Sequence, residues 1–434
     1  MVFWIVLIFL LAVPAADAGP KVIANFSGTP RNGPVPLQVA FTDLSTGSPA
    51  GWAWYFGDET YREPWTRMNA NSGWLKREGF TSVATPDGSI VLMGGTIPST
   101  PPGSNWYRVN DTWRSTDFGR TWIRMNSSSG WTARNYHSSV AMPDNSIILM
   151  GGVDDTPGSL NDIWSSKNHG ATWTLVSANA GWSTRTGHSS VVMPDGSIVL
   201  TGGWGTSSAR NDTWRSTDYG RTWTRMNASS GWAARGLHST AGMPDGSIIL
   251  TGGNGVDSPS LYNDTWRSID YGRTWIRMNA SSGWGGRLRH TSVAMPDNSI
   301  ILMGGQGEAV NATYNAYNDT WRSTNNGATW TLVNASPGWT KREGHASVLM
   351  MDSSIVLIGG IWYNDTWRFV PAGSTLQNPM HTYTRVDKFT VVLQAYNDGM
   401  YNSTRKKSYI TPWLPLTKGG TGGGVTLPTR IQGP

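Results

Sequence analysis

The chain has 434 residues, a formal net charge of +6 and a charged fraction of only 14%, with 52 Gly, 24 Pro, 25 Trp and no Cys. Roughly 100–200 residues per domain predicts two to four domains, and a composition rich in Gly, Pro and Trp predicts short strands and tight turns in place of helices. The missing thiol excludes disulfide scaffolds, thiolate metal sites and cysteine nucleophiles; Arg outnumbers Lys 26 to 8 with no dense basic run, which suits planar carboxylate recognition and makes no case for nucleic acid.

Residues 1–18 read as an export signal: Met1 to Pro14 are almost wholly apolar, and Ala16-Asp17-Ala18 supplies a small-x-small cleavage site. The run is shorter than the roughly 20 residues of a bilayer span, so the mature chain is expected outside the cell or on its surface, with no membrane span. Residues 19–59 carry Val35-Pro-Leu-Gln-Val-Ala-Phe and then Trp52-Ala-Trp54-Tyr-Phe56-Gly57-Asp58. This stretch resembles the first half of a PKD domain, a small immunoglobulin-like β-sandwich, with Glu59 where that family has a second Gly.

Residues 60–370 are a repeat. The tetrad Asn-Asp-Thr-Trp or a variant begins at Asn110, Asn161, Asn211, Asn263, Asn318 and Asn364, at spacings of 51, 50, 52, 55 and 46 residues. One unit reads His188-Ser-Ser-Val-Val-Met, Pro194-Asp-Gly-Ser, Ile198-Val-Leu-Thr-Gly-Gly203, Asn211-Asp-Thr-Trp214 and Ser216-Thr-Asp-Tyr-Gly-Arg-Thr-Trp223. Those are four short strands; Pro194-Asp195-Gly196 makes the first turn and Asp218-x-Gly220 the last. A period near 50 with four strands is one propeller blade. The order Arg-x-x-His, Gly-Gly, Asn-Asp-Thr-Trp resembles kelch repeats, and Ser-x-Asp-x-Gly-x-Thr-Trp is similar to the Asp-box of sialidase-like propellers. The fold class expected is therefore all-β: a six-bladed β-propeller. The last unit, His345 to Phe369, lacks a fourth strand, while Trp65–Met68 is a fourth strand with no first three. The N-terminal fragment is predicted to complete the sixth blade and close the ring.

Residues 371–412 contain Asn378-Pro-Met-His381-Thr-Tyr383 and Phe389-Thr-Val-Val-Leu-Gln-Ala-Tyr. They resemble the second half of the PKD sandwich, so the propeller is expected to be inserted into a sandwich loop. Residues 413–434, with Gly419-Gly-Thr-Gly-Gly-Gly424, read as a flexible tail.

Candidate site residues come from the connection between units, Gly-Trp-x-x-Arg-x-x-His. Its tryptophans are Trp74, Trp131, Trp182, Trp232, Trp284 and Trp339; its arginines are Arg77, Arg134, Arg185, Arg235, Arg287 and Arg342. His137, His188, His238, His290 and His345 follow, with Phe80 in the first unit. Resemblance to kelch proteins that bind acidic peptides implies that such loop arginines ring the central channel, where guanidinium forks onto carboxylate and indole stacks on a ring. One His per blade stands too far from the next to share a metal ion, and no cofactor is expected. Glu78 and Glu343 recur in Lys-Arg-Glu-Gly of the first and last units and are expected as solvated ion pairs; a glycosidase pair requires a separation near 5–9.5 Å. Galactose-oxidase-like chemistry is excluded by the missing Cys. The sequons at Asn227, Asn279 and Asn334 are candidate glycosylation sites in exposed loops. The whole resembles PKD-containing surface proteins of methanogenic archaea. The expectation is a non-catalytic extracellular binding or adhesion module that recognises glycan or acidic polypeptide through its propeller loops. A structural envelope or filament subunit assembling through the PKD-like part, and a sialidase-like hydrolase, are the alternatives.

Overall fold

A computed structural model describes residues 21–99, 106–156, 158–256, 260–308, 315–371, 373–397 and 400–415. The stretch read as an export signal, residues 1–18, and residues 416–434 of the stretch read as a tail lie outside them. Among the described residues, six four-stranded antiparallel sheets follow the repeat. Sheet 1 comprises Thr81–Ala84, Ile90–Pro98, Trp106–Ser115 and Ile123–Asn126. Sheet 2 comprises Ser138–Ala141, Ile147–Val153, Ser159–Ser166 and Thr174–Ser177, and sheet 3 Ser189–Val192, Ile198–Trp204, Ala209–Ser216 and Thr224–Asn227. Sheet 4 holds Ser239–Gly242, Ile248–Thr251, Thr265–Ser268 and Ile276–Asn279; sheet 5 holds Thr291–Ala294, Ile300–Met303, Thr320–Ser323 and Thr331–Asn334. Sheet 6 takes Ala346–Leu349, Ile355–Gly360 and Tyr363–Phe369 from the C-terminal side and Thr66–Asn69 from the N-terminal side, with Trp367 opposite Arg67. The first strands of neighbouring sheets touch in a closed cycle, sheet 6 meeting sheet 1.

Second strands such as Ile198-Val-Leu are buried on both faces because each sheet is covered by its two neighbours. They end in a Gly-Gly pair with left-handed backbone; a Cβ on Gly203 would stand 2.8 Å from that of His188, so only glycine fits. The Asp-box closes the turn into the fourth strand: Ser216 Oγ accepts the Gly220 N–H at 2.9 Å and Asp218 Oδ1 accepts that of Thr222 at 2.9 Å. Sheet 6 has no such turn. Trp65 instead meets Trp339 edge-on at 6.2 Å, as the Asp-box Trp122 meets Trp74 at 6.0 Å.

Segments on either side of the repeat share a second core. Phe26–Thr29, Leu37–Asp43 and Met380–Tyr383 form one sheet; Asn32–Pro34, Met400–Trp413, Phe389–Asn397 and Gly51–Tyr55 form another. The last long strand thus runs one residue into the stretch read as tail. Phe26, Phe41, Trp54, Phe389 and Leu393 pack between the two sheets. This sandwich touches the cycle of sheets at the end where first strands turn into second strands: the Tyr55 hydroxyl donates to the Ser353 carbonyl at 3.2 Å, and Gln394 Nε2 donates to that of Met351. At the junction Glu59 is buried and accepts the N–H groups of Phe56 and Gly57, and burial pushes its carboxyl up to about 7.

Candidate functional site

The Gly-Trp-x-x-Arg connections lie at the opposite end of the channel from the sandwich. Each tryptophan of the motif is 1% exposed, and each arginine is at most 1% exposed. Arg185 shows why. Its Nη1 and Nη2 fork onto Asp212 at 2.8 and 2.9 Å, Nη1 also donates to the Gly202 carbonyl at 2.8 Å, and Nε donates to that of Ser183 at 3.1 Å. The aspartate is the second residue of Asn-Asp-Thr-Trp, and the same fork joins Arg77 to Asp111, Arg134 to Asp162, Arg235 to Asp264, Arg287 to Asp319 and Arg342 to Asp365. The twelve Arg and Trp side chains expected to face a ligand are therefore spent inside the sheets. Every guanidinium already holds a carboxylate, and every indole is covered by its neighbour.

The histidines form the next layer. His137, His238 and His345 are fully enclosed; burial first, and the adjacent arginine second, hold each imidazole near pH 3, so all three are neutral. His188 and His290 are pushed down for the same reasons. Threonine hydroxyls meet His137, His238, His290 and His345 at 2.9–3.0 Å.

Beyond this layer the repeat stops repeating. The residue before each His or Phe is Gly79, Tyr136, Gly187, Leu237, Arg289 or Gly344, and all six are left-handed, with φ between 50° and 62°. A chain of backbone hydrogen bonds explains the shared conformation. The N–H of Tyr136 donates to Gly79, Gly187 to Tyr136, Leu237 to Gly187, Arg289 to Leu237 and Gly344 to Arg289, at 2.7–3.1 Å. These residues rim a cavity of about 130 Å³ in the channel mouth, above the histidine ring.

The family model of the KLHDC2/KLHL20/DRC7 Kelch-repeats domain matches residues 79–305, just over half of the chain. The chain belongs to this kelch family. The closed cycle of four-stranded sheets is accordingly a kelch β-propeller, and the mouth is one end of its channel.

In this propeller the mouth carries its own charge cluster. Arg289 crosses from one loop to three others: its Nη1 stands 3.4 Å from Glu78 and 3.2 Å from Glu343, and its guanidinium lies 5.0 Å from the centre of the Tyr136 ring. The two glutamates are thus not solvated pairs with their sequence neighbours; Glu343 is 2% exposed and shares one arginine with Glu78. Burial pushes the Tyr136 phenol well up, opposite to what a nucleophilic phenolate needs. Sequence reasoning passed over Leu237 and Arg289. The available signal was the last variable position of the motif, where Gly79, Gly187 and Gly344 alternate with three bulky residues.

The three sequon asparagines end fourth strands instead of standing in free loops. The Asn227 amide donates to the Arg273 carbonyl at 2.7 Å and that of Asn279 to Ala328 at 2.8 Å, while Asn334 accepts the Ser336 N–H at 2.9 Å.

Proposed function

We propose that this chain is an extracellular, non-catalytic binding module: a six-bladed kelch propeller set into a PKD-like sandwich, recognising a glycan or polypeptide through the loop face at the channel mouth. The observation that carries the proposal is the set Tyr136, Leu237 and Arg289. Three sister loops show that glycine suffices at this left-handed position. A bulky residue there costs on the order of 1 kcal/mol, and three such residues converge on one opening. Backbone economy does not account for them; recognition does. The sandwich meets the other end of the propeller, and among the described residues it does not cover this face.

The buried Arg–Asp pairs remove the arginine ring as a source of preference for acidic ligands, and Arg289 is itself held by Glu78 and Glu343, so specificity rests on Tyr136, Leu237, this Arg289–glutamate cluster and the loops around them. The test is a glycan and peptide array probed with the full mature chain and with Tyr136→Gly/Leu237→Gly/Arg289→Gly, which restores the residue of the sister loops. Saturable binding without turnover that disappears in the triple variant is the expected result. Binding unchanged in that variant, or product formation, would overturn the proposal.

A further inference from the structure

The propeller carries a second asymmetry away from the channel. Among the described residues the arm of sheet 1 runs further than those of sheets 2 and 3: beyond Gly95 it continues through Thr96 opposite Arg108, Ile97 opposite Tyr107 and Pro98 opposite Trp106. The arms of sheets 2 and 3 stop at Val153 opposite Ser159 and Trp204 opposite Ala209. The extra ladder walls a groove of about 370 Å³ on sheet 1, within the range of small-ligand sites. Its upper wall is Ile97 and Tyr107, and Tyr107 is 46% exposed. Leu75 lines the groove where other loops place Thr132, Ser183, Ala233, Gly285 or Thr340. Asn110, whose Nδ2 donates to the Trp131 carbonyl at 2.8 Å, and Ser127 add an amide oxygen and a hydroxyl.

Charge in the groove leaves one cation over. Arg77 is neutralised by Asp111 and Arg108 by Asp155. Arg124 lies 5.8 Å from the centre of the Trp113 ring and has no carboxylate within 4.0 Å among the described residues. An exposed phenol face, an apolar wall, hydroxyl and amide groups and a single unpaired guanidinium match one ligand chemistry: a pyranose ring bearing a carboxylate. The CH face of the sugar stacks on Tyr107 and its carboxylate meets Arg124. An acidic peptide, with charge on residue after residue, has only this one cation to meet.

We propose that the groove under the sheet 1 arm binds a carboxylated sugar residue through Tyr107 and Arg124, as a site separate from the channel mouth. The repeat supplies substitutions already tolerated by the fold. Position 124 is Leu175 and Leu332 in sheets 2 and 5, and position 107 is Ser208 in sheet 3. Titration calorimetry of the mature chain with tetragalacturonate, with its methyl ester, with sialyllactose and with a poly-glutamate peptide provides the test. Binding of tetragalacturonate or sialyllactose is expected, weakened at least tenfold by Arg124→Leu and by Tyr107→Ser and by esterification. It is expected to be unchanged by Arg225→Leu, the same position in sheet 3, and by the triple glycine variant at the mouth. Equal affinity in Arg124→Leu, no binding of either acidic sugar, or a preference for poly-glutamate would overturn the proposal. Loss in the triple variant alone would return the ligand to the channel mouth.

Discussion

The five buried imidazoles are expected to make the propeller acid-labile. Each titrates near pH 6.5 when exposed, but His137, His238 and His345 are held near 3 in the folded chain, and His188 and His290 are also pushed down. These groups have depressed folded values, so their contribution is fully present above pH 6.5 and is lost as pH falls toward 3. Within that window the unfolded chain binds up to five more protons than the folded one. Stability then declines by about 1.4 kcal/mol per proton and pH unit, or about 7 kcal/mol per pH unit for five. A net stability on the order of 5–15 kcal/mol is exhausted within about two pH units. Glu59 works in the opposite direction but is a single group with a shift from 4.5 to about 7, so the histidines dominate.

The assay is a series of urea midpoints from pH 7.5 to 4.5, alongside imidazole carbon-13 shifts of the folded protein. His188→Phe provides the internal control, because Phe80 occupies the same place in the first loop and His188 has no threonine partner to lose. It is expected to reduce the pH slope by about one proton in five. A slope below one proton, an unchanged slope in His188→Phe, or imidazoles that protonate above pH 5 without unfolding would refute the reasoning.

Arg185→Ala leaves the partly buried Asp212 carboxylate, 15% exposed, with the Trp214 indole N–H but without its cation, and is expected to cost about 3 kcal/mol in thermal or urea unfolding. Trp65→Ala is expected to cost about 3–5 kcal/mol, matching Trp122→Ala, because both rings fill the same place against a loop tryptophan; a much smaller loss for Trp65 would show that the closing strand is dispensable. Glu59→Gln is expected to remove a stability decline of about 3 kcal/mol as pH rises from 4.5 through about 7, since the raised folded value favours the protonated state below that point. Tyr136→Gly is expected to leave thermal stability within about 1 kcal/mol, the relief of left-handed strain offsetting the lost ring contacts.

The strands, turns and repeat boundaries were legible because each is set by local chemistry: Pro-Asp-Gly can only turn, Ile-Val-Leu can only be covered, and Ser-x-Asp-x-Gly closes on itself. The partnership of Arg185 with Asp212 was not legible as a contact. Arginine and aspartate stand 27 residues apart, each belongs to a motif with its own explanation, and periodicity fixes a position without saying what it faces. A hint existed in the counts, one loop arginine and one tetrad aspartate per unit. Arg289 was harder still, because its partners Glu78 and Glu343 belong to two other loops and meet it only once the loops surround one channel.

The same division separates scaffold from site. A group repeated in every sheet has the same neighbours in every sheet, so evolution of the repeat can optimise its contacts once and for all; Arg185 and Trp182 are the outcome, enclosed and fully engaged. A ligand has no such symmetry and must be met by residues that differ between sheets. Under the two proposals those residues stand at the left-handed position of the channel mouth, where glycine alternates with Tyr136, Leu237 and Arg289, and on the arm of sheet 1, whose ladder runs on to Trp106; Arg124 recurs as Arg67, Arg225 and Arg277 and is set apart only by that arm. In a propeller of this kind, departure from the repeat is the stronger functional signal than the repeat itself. Substitutions that restore the repeat are therefore the ones that separate recognition from folding.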